Sequence, residues 1–140
     1  MIQTPFLSVD GVVELYDNEN VLTGIVVIER KNPPFGWALP GGFVDIGETV
    51  EHALLREMKE EISLDVTIGR FLGLYSDPRR DTRFHTVSAV FVCRAHGLPV
   101  AADDAKNVRV VSKEALPTLS LVFDHRLILS DYLAGKTYPA

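Results

Sequence analysis

Residues 42–64 read GFVDIGETVEHALLREMKEEISL, and this stretch decides how the rest of the chain is arranged. From Thr49 onward its apolar residues recur at spacings of three and four, which places them on one stripe of a helix. Thr49 is a favourable N-cap residue, so the pattern predicts a helix over residues 49–62. The residues of the apolar stripe are Val50, Ala53, Leu54, Met58 and Ile62.

Three carboxylates share one face of this predicted helix. Glu57, Glu60 and Glu61 stand at i, i+3 and i+4, so they project within a single turn. Like charges at this distance destabilise a helix unless solvent, salt or bound cations offset their repulsion. Mg²⁺ binds carboxylate oxygens, keeps several waters and shares phosphate oxygens with a substrate. The cluster therefore predicts a magnesium site, and a solvated face neutralised by Arg56 and Lys59 is the alternative interpretation.

Strand-like segments lie on both sides of the acidic helix. Turn-forming residues at 17–20 join the first two segments into a predicted hairpin. A helical turn over residues 113–116, stopped by Pro117, and a closing helix over 123–133 follow. This order of elements predicts an α+β fold in which helices pack on a mixed sheet. The predicted strands cover residues 8–15, 21–29, 37–40, 65–75, 84–94 and 107–111.

Composition limits the class of protein. The 140 residues suit a single domain over 1–140, and 46% hydrophobic with 24% charged residues is typical of a globular chain. The net charge of -5 argues against a nucleic-acid partner. Neither a signal peptide nor an apolar run long enough to cross a membrane is evident. The single cysteine, Cys93, excludes an intramolecular disulfide and favours a reducing, cytoplasmic location.

The glycine and charged residues of this stretch follow a fixed spacing. From Gly42, five residues lead to Glu48, and seven more lead to Arg56-Glu57; an aliphatic position and Glu60-Glu61 follow. This spacing resembles the Nudix box, here at residues 42–64. Ser63 departs from it, because the family has a glycine there that ends the helix in a left-handed conformation. A serine at that position costs on the order of 1 kcal/mol of stability but removes no metal ligand.

The resemblance implies a Nudix-type α/β/α sandwich with a loop–helix–loop, and an enzyme that hydrolyses a pyrophosphate linkage attached to a nucleoside. Mg²⁺ is the implied cofactor, with Mn²⁺ as the alternative ion. Arg56 is expected to orient the carboxylates by pairing with Glu48 or a neighbouring glutamate, so both residues join the catalytic set. The general base stays open among Glu60, Asp103 and Asp104. The implied metal ligands are the Gly41 carbonyl and the side chains of Glu57, Glu60 and Glu61.

Residues 29–45 and 75–88 look like the corresponding segments of small bacterial and archaeal ADP-ribose pyrophosphatases. In that group a proline at the position of Pro78 marks specificity for ADP-ribose. The resemblance therefore implies a small-molecule nucleotide substrate, release of AMP and ribose 5-phosphate, and a homodimer. A MutT-like nucleoside triphosphate pyrophosphohydrolase and a non-catalytic nucleotide-sensing domain are the alternatives. The expected substrate-binding residues are Arg30, Trp37, Phe43, Pro78, Arg80 and Arg83.

Overall fold

A computed structural model describes residues 1–138 of the chain. Within them the chain forms seven strands, two α-helices and one 3₁₀ turn. In chain order these are β1 (Phe6–Tyr16), β2 (Leu22–Arg30), β3 (Trp37–Ala38), β4 (Gly41–Phe43), α1 (Val50–Ile62), β5 (Thr67–Tyr75), β6 (Thr86–His96), β7 (Ala105–Val111), the 3₁₀ turn (Leu116–Thr118) and α2 (His125–Leu133).

The seven strands form one mixed sheet, in which β1 and β2 separate over part of their length. β1 is parallel to β6, and the other strand pairs are antiparallel. β1 and β2 pair only at residues 14–16 and 22–25, and beyond these residues the two strands separate. The segment carrying β3 and β4 fills the gap, because β3 pairs with β2 and β4 pairs with β1. The loop before α1 is therefore fixed in the middle of the sheet.

The core lies in two layers, one on each face of the sheet. On one face the apolar stripe of α1 packs against Val9 and Val13 of β1. On the other face α2 packs through Ile128 and Leu129 against Val12 and its neighbours. Alternation along β1 sends successive valines to opposite layers. The predicted α+β fold with helices on both faces is confirmed.

The helices differ from the sequence prediction in detail. α1 is confirmed, and the Thr49 hydroxyl caps it by accepting the His52 N–H at 3.1 Å. Ser63 ends it in the left-handed conformation, with φ 61° and ψ 32°. The helical turn predicted at 113–116 is present, because the Leu116 N–H donates to the Ser112 carbonyl oxygen at 3.2 Å. Pro117 does not stop it as expected: a 3₁₀ turn continues to Thr118, and its first positions tolerate proline. No helix in residues 1–138 has the length and apolarity to cross a bilayer.

Candidate active site

Arg56 forms hydrogen bonds to three of the predicted catalytic carboxylates. Its guanidinium donates two hydrogen bonds to Glu48, at 2.7 and 2.8 Å, and a third to Glu57 at 2.7 Å. Weaker contacts reach Glu60 at 3.3 Å and the Phe43 carbonyl oxygen at 3.1 Å. The paired guanidinium holds the pKa of Glu48 well below its usual range. The side chain of Glu48 therefore stays ionised and fixes the loop before α1 to the middle of that helix.

Glu61 is buried at the junction of α1 and β4. Its carboxylate accepts a hydrogen bond from the Gly41 N–H at 2.9 Å. Burial raises the pKa of Glu61 to about 8, with the Gly41 hydrogen bond opposing and the Glu57 charge adding to the shift. Burial also raises the pKa of Glu57, against the effect of Arg56. A cation beside these two carboxylates would be favoured, because it would offset the cost of burying their charges.

Gly41 and Gly42, which precede the loop before α1, are glycines because neighbouring atoms leave no room for a Cβ. A Cβ on Gly42 would lie 2.5 Å from Oε1 of Glu57, and one on Gly41 would collide with the Val9 carbonyl oxygen. Only glycine lets the backbone of β4 pass this close to β1 and to the α1 carboxylates. The glycine pair therefore brings main-chain atoms and two carboxylates to the same point.

A cavity of about 330 Å³ opens at this point, between β4, α1 and the start of α2. Glu57 and Glu61 lie at its acidic end together with the glycine pair. Three arginines also line the cavity, so it holds charges of both signs. Its charged lining residues are Asp10, Arg30, Asp45, Glu57, Glu61, Arg80, Asp81, Arg83 and Asp104.

Two of the cavity arginines are fixed by carboxylates. Arg80 is buried and donates to both oxygens of Asp124, at 3.0 and 2.7 Å. Arg83 donates to both oxygens of Asp81, at 3.1 and 2.9 Å. Such two-point pairs set the plane as well as the place of a guanidinium. Residues 80–83 therefore form a rigid wall of the cavity.

The inner end of the cavity contains a buried polar group centred on Asp10. The Ser88 hydroxyl donates to Asp10, and His125 Nε2 lies 3.8 Å from the same carboxyl. Burial raises the pKa of Asp10 to about 7, while Ser88 and Arg80 oppose the shift. Nδ1 of His125 accepts the Leu39 N–H at 2.9 Å, and burial lowers the pKa of His125 to about 3. The imidazole is therefore neutral and carries its proton on the nitrogen nearer Asp10.

The structure gathers most of the predicted site residues, but not all of them. Trp37 lies outside the lining, packed against the α2-side core with the Arg109 guanidinium over its ring. Pro78 stands in an exposed turn, and the Glu60 side chain, 45% exposed, does not line the cavity. Of the candidate bases other than Glu60, Asp104 lines the cavity and Asp103 does not. The predicted residues that do line it are Arg30, Gly41, Phe43, Glu57, Glu61, Arg80, Arg83 and Asp104.

The sequence did not predict several residues that line the cavity or lie directly behind it. Asp10 offered one signal, because it is a charged residue within a valine-rich strand, where an ordinary solvent-facing carboxylate is rare. Ser88 and His125 carried no such signal, since each is compatible with an unremarkable strand or helix. Thr86 also lines the cavity, and in the part of the chain that the structure describes its buried hydroxyl lacks a hydrogen-bond partner. A polar substrate atom could satisfy that hydroxyl.

The available donors fit a hard divalent cation. Carboxylate oxygens of Glu57, Glu60 and Glu61 and the Gly41 carbonyl are all oxygen ligands, which Mg²⁺ and Mn²⁺ accept. Among residues 1–138, no three aspartate, glutamate, histidine or cysteine side chains are already placed to bind one metal ion. The glutamates are held instead by Arg56 and by Gly41. This arrangement suits Mg²⁺, which takes few protein ligands and completes its shell with water and phosphate.

Known proteins of similar sequence and fold were compared with this chain. The chain matches the family described as NUDIX domain over residues 5–132. It is 45% identical over 135 residues to the ADP-ribose pyrophosphatase of Methanocaldococcus jannaschii, covering 94% of this chain and 75% of that protein.

Two solved structures share the fold over 96% of this chain. The NUDIX domain of Shewanella oneidensis NrtR, complexed with ADP ribose, gives a TM-score of 0.81 over 90% of its own length at 22% identity. A bifunctional NMN adenylyltransferase/ADP ribose pyrophosphatase from Francisella tularensis, complexed with AMP and a Mn ion, gives 0.77 at 29% identity. The match covers 42% of that second chain.

Proposed function

Because this chain belongs to the NUDIX family of hydrolases, we propose that it cleaves the pyrophosphate linkage of ADP-ribose with the help of Mg²⁺. The products are AMP and ribose 5-phosphate. The observation that carries the proposal is a single cavity with paired carboxylates, Glu57 and Glu61, at one end and arginines in its wall. The 45% identity to an ADP-ribose pyrophosphatase supports the choice of substrate.

The acidic end of the cavity is the proposed metal site. Glu57, Glu60, Glu61 and the Gly41 carbonyl would hold the ion. A divalent cation bound there would neutralise charge on the phosphate oxygens and would make water a better nucleophile. Arg56 orients Glu57, and the Gly41 N–H orients Glu61, so both carboxylates are positioned before the ion binds.

Other residues of the cavity bind the substrate and move its protons. Water attacks one phosphorus in line with the bridging oxygen, which leaves with the other phosphate. Asp104 is the proposed acceptor of the water's proton, because it is the one of the three candidate bases that lines the cavity. Arg30 and Arg83 bind phosphate oxygens away from the metal. Phe43 lies at the cavity and is 40% exposed, which suits stacking on the adenine ring.

A panel assay tests the proposal. The purified protein is incubated, with and without Mg²⁺, with ADP-ribose, NADH, diadenosine polyphosphates, and ordinary and 8-oxo nucleoside triphosphates. We expect ADP-ribose to be hydrolysed fastest and to yield AMP only when Mg²⁺ is present. Preference for triphosphates, with release of pyrophosphate, would instead assign the protein to the nucleotide-cleaning alternative. Saturable binding without turnover would assign it to the sensing alternative.

A further inference from the structure

Phe123 has an unusual backbone for its residue type. Its φ is +57°, in the left-handed region that a bulky side chain rarely enters. The residue lies two positions before α2, next to its N-cap Asp124, and lines the cavity. Sequence periodicity placed it inside a helix over 123–133, and the structure contradicts that assignment. A strained conformation retained beside a candidate active site suggests that the ring is needed where it lies.

The ring of Phe123 contacts two of the cavity arginines. The guanidinium carbon of Arg30 lies over the ring at 5.0 Å from its centre, and that of Arg83 lies at 5.3 Å. Both distances are within the range of an attractive cation–π contact. Each guanidinium is thereby held against an aromatic surface, and Arg83 also lies over the Phe84 ring at 4.9 Å. The Phe123 ring packs against the ring of His125, with the two centres 5.3 Å apart.

The two arginines repel each other and differ in their partners. Two guanidiniums that lie this close to one ring centre are separated by no more than about 10 Å, within one Debye length at 0.1 M salt. Burial, and then the charge of Arg83, lower the pKa of Arg30. Arg83 has Asp81 as a partner. In the part of the chain that is described, Arg30 forms no salt bridge and donates to the carbonyl oxygens of Pro34, at 2.9 Å, and Pro33, at 3.4 Å.

We infer that Phe123 is a positioning residue that holds Arg30 and Arg83 as a two-arginine clamp for the substrate phosphate lying away from the carboxylate end of the cavity. An anion placed between the guanidiniums removes their repulsion, and the guanidinium fork matches phosphate geometry. The clamp binds the substrate in its ground state as well as in the transition state, so its loss raises KM more than it lowers kcat. This inference rests on the proposed hydrolysis of a pyrophosphate-linked substrate.

The Phe123→Gly variant separates positioning from folding. Glycine adopts a φ of +57° without strain, so the change removes the ring while relieving the backbone. We expect KM for ADP-ribose to rise about tenfold, with kcat within about twofold and the urea midpoint at or near that of the wild type. Phe123→Tyr, which keeps the ring, should restore KM. Phe71→Leu, a change to an aromatic residue that packs on Phe91 outside the cavity, is the control.

A second readout does not depend on turnover. Calorimetric titration with inorganic pyrophosphate, in EDTA at low ionic strength, measures anion binding by the cavity arginines without a metal ion. Binding by the wild type that weakens about tenfold in Phe123→Gly supports the clamp even if ADP-ribose proves not to be a substrate. Absence of pyrophosphate binding by the wild type overturns it. Unchanged KM and unchanged pyrophosphate affinity in Phe123→Gly also overturn it, as does a fall in kcat and urea midpoint with KM preserved.

Discussion

Replacing Gly42 by alanine should separate catalysis from folding. The new Cβ would lie 2.5 Å from Oε1 of Glu57, whereas ordinary contact begins at 3.4 Å. The atoms in the way are the far end of a flexible side chain, so the carboxylate can move while the backbone of β4 stays in place. Glu57 must give way by about 1 Å, and a catalytic group misplaced by that distance can lose roughly 100-fold in rate.

The neighbouring glycine provides the contrast. A Cβ on Gly41 would collide with the Val9 carbonyl, which belongs to the paired backbone of β1 and cannot move aside. We therefore expect Gly41→Ala to lose about 1–3 kcal/mol of stability, the usual cost of overpacking. Gly73→Ala is the matched control, because a Cβ there meets only the Tyr75 ring at an ordinary 3.7 Å.

The assay combines urea unfolding with the rate of AMP release from ADP-ribose in Mg²⁺. The expected pattern is a stable but roughly 100-fold slower Gly42→Ala, an unstable Gly41→Ala, and a Gly73→Ala control close to the wild type. If Gly42→Ala turns over at the wild-type rate, the position of the Glu57 carboxylate does not matter and the reasoning fails. If it unfolds as readily as Gly41→Ala, the clash is not confined to a side chain.

Three further predictions concern stability and reactivity. Ser63→Gly should raise the free energy of unfolding by up to about 1 kcal/mol in urea melts, because the φ of 61° at this position favours glycine. A free energy of unfolding below that of the wild type would mean that the hydrogen bond from Ser63 to the Val100 carbonyl outweighs the strain. Cys93 is fully buried and its pKa is raised to about 12 by burial, so Ellman's reagent at pH 8 should label it only as fast as the protein unfolds, and immediate labelling would refute its core position. The pKa of His125 is lowered to about 3, so the neutral imidazole stabilises the fold above pH 6.5 and this contribution is lost as the pH falls from 6.5 toward 3. Relative to His125→Asn, which keeps an acceptor for Leu39, the wild type should lose up to about 1.4 kcal/mol per pH unit below pH 6.5, and a difference that does not change with pH would refute the burial of a neutral imidazole.

Local patterns predicted the parts of the fold that local patterns control. α1 was predictable because its apolar stripe, its Thr49 cap and its acidic face all follow from spacing along one helix. β3 lies within the strand predicted over 37–40, whereas β4 was not predicted. Both strands are too short to show a period, and they fill the gap between β1 and β2. The start of α2 was misplaced for a related reason, since contacts of Phe123 with distant arginines override its helical surroundings.

The same distinction holds for the candidate site. Glu57 and Glu61 lie four residues apart on one helix, so their meeting could be predicted from the sequence. Asp10 and His125 come from opposite ends of the chain, and only the packing of α2 against β1 brings them within 3.8 Å. Arg80 and Asp124 are 44 residues apart in the sequence, so local composition gives no sign that they pair. A site assembled from long-range contacts needs the tertiary structure to be seen.

The most direct test of the central claim is the Mg²⁺-dependent rate of AMP release from ADP-ribose by Glu61→Gln, measured beside Glu51→Gln. Glutamine at 61 can still accept the Gly41 N–H, so the fold should be kept while a proposed metal ligand is weakened. Glu51 is exposed in the first turn of the same helix and serves as the control. The account predicts a loss of roughly 100-fold or more for Glu61→Gln and little change for Glu51→Gln. A rate for Glu61→Gln close to that of the wild type would contradict the assignment of α1 as the metal site.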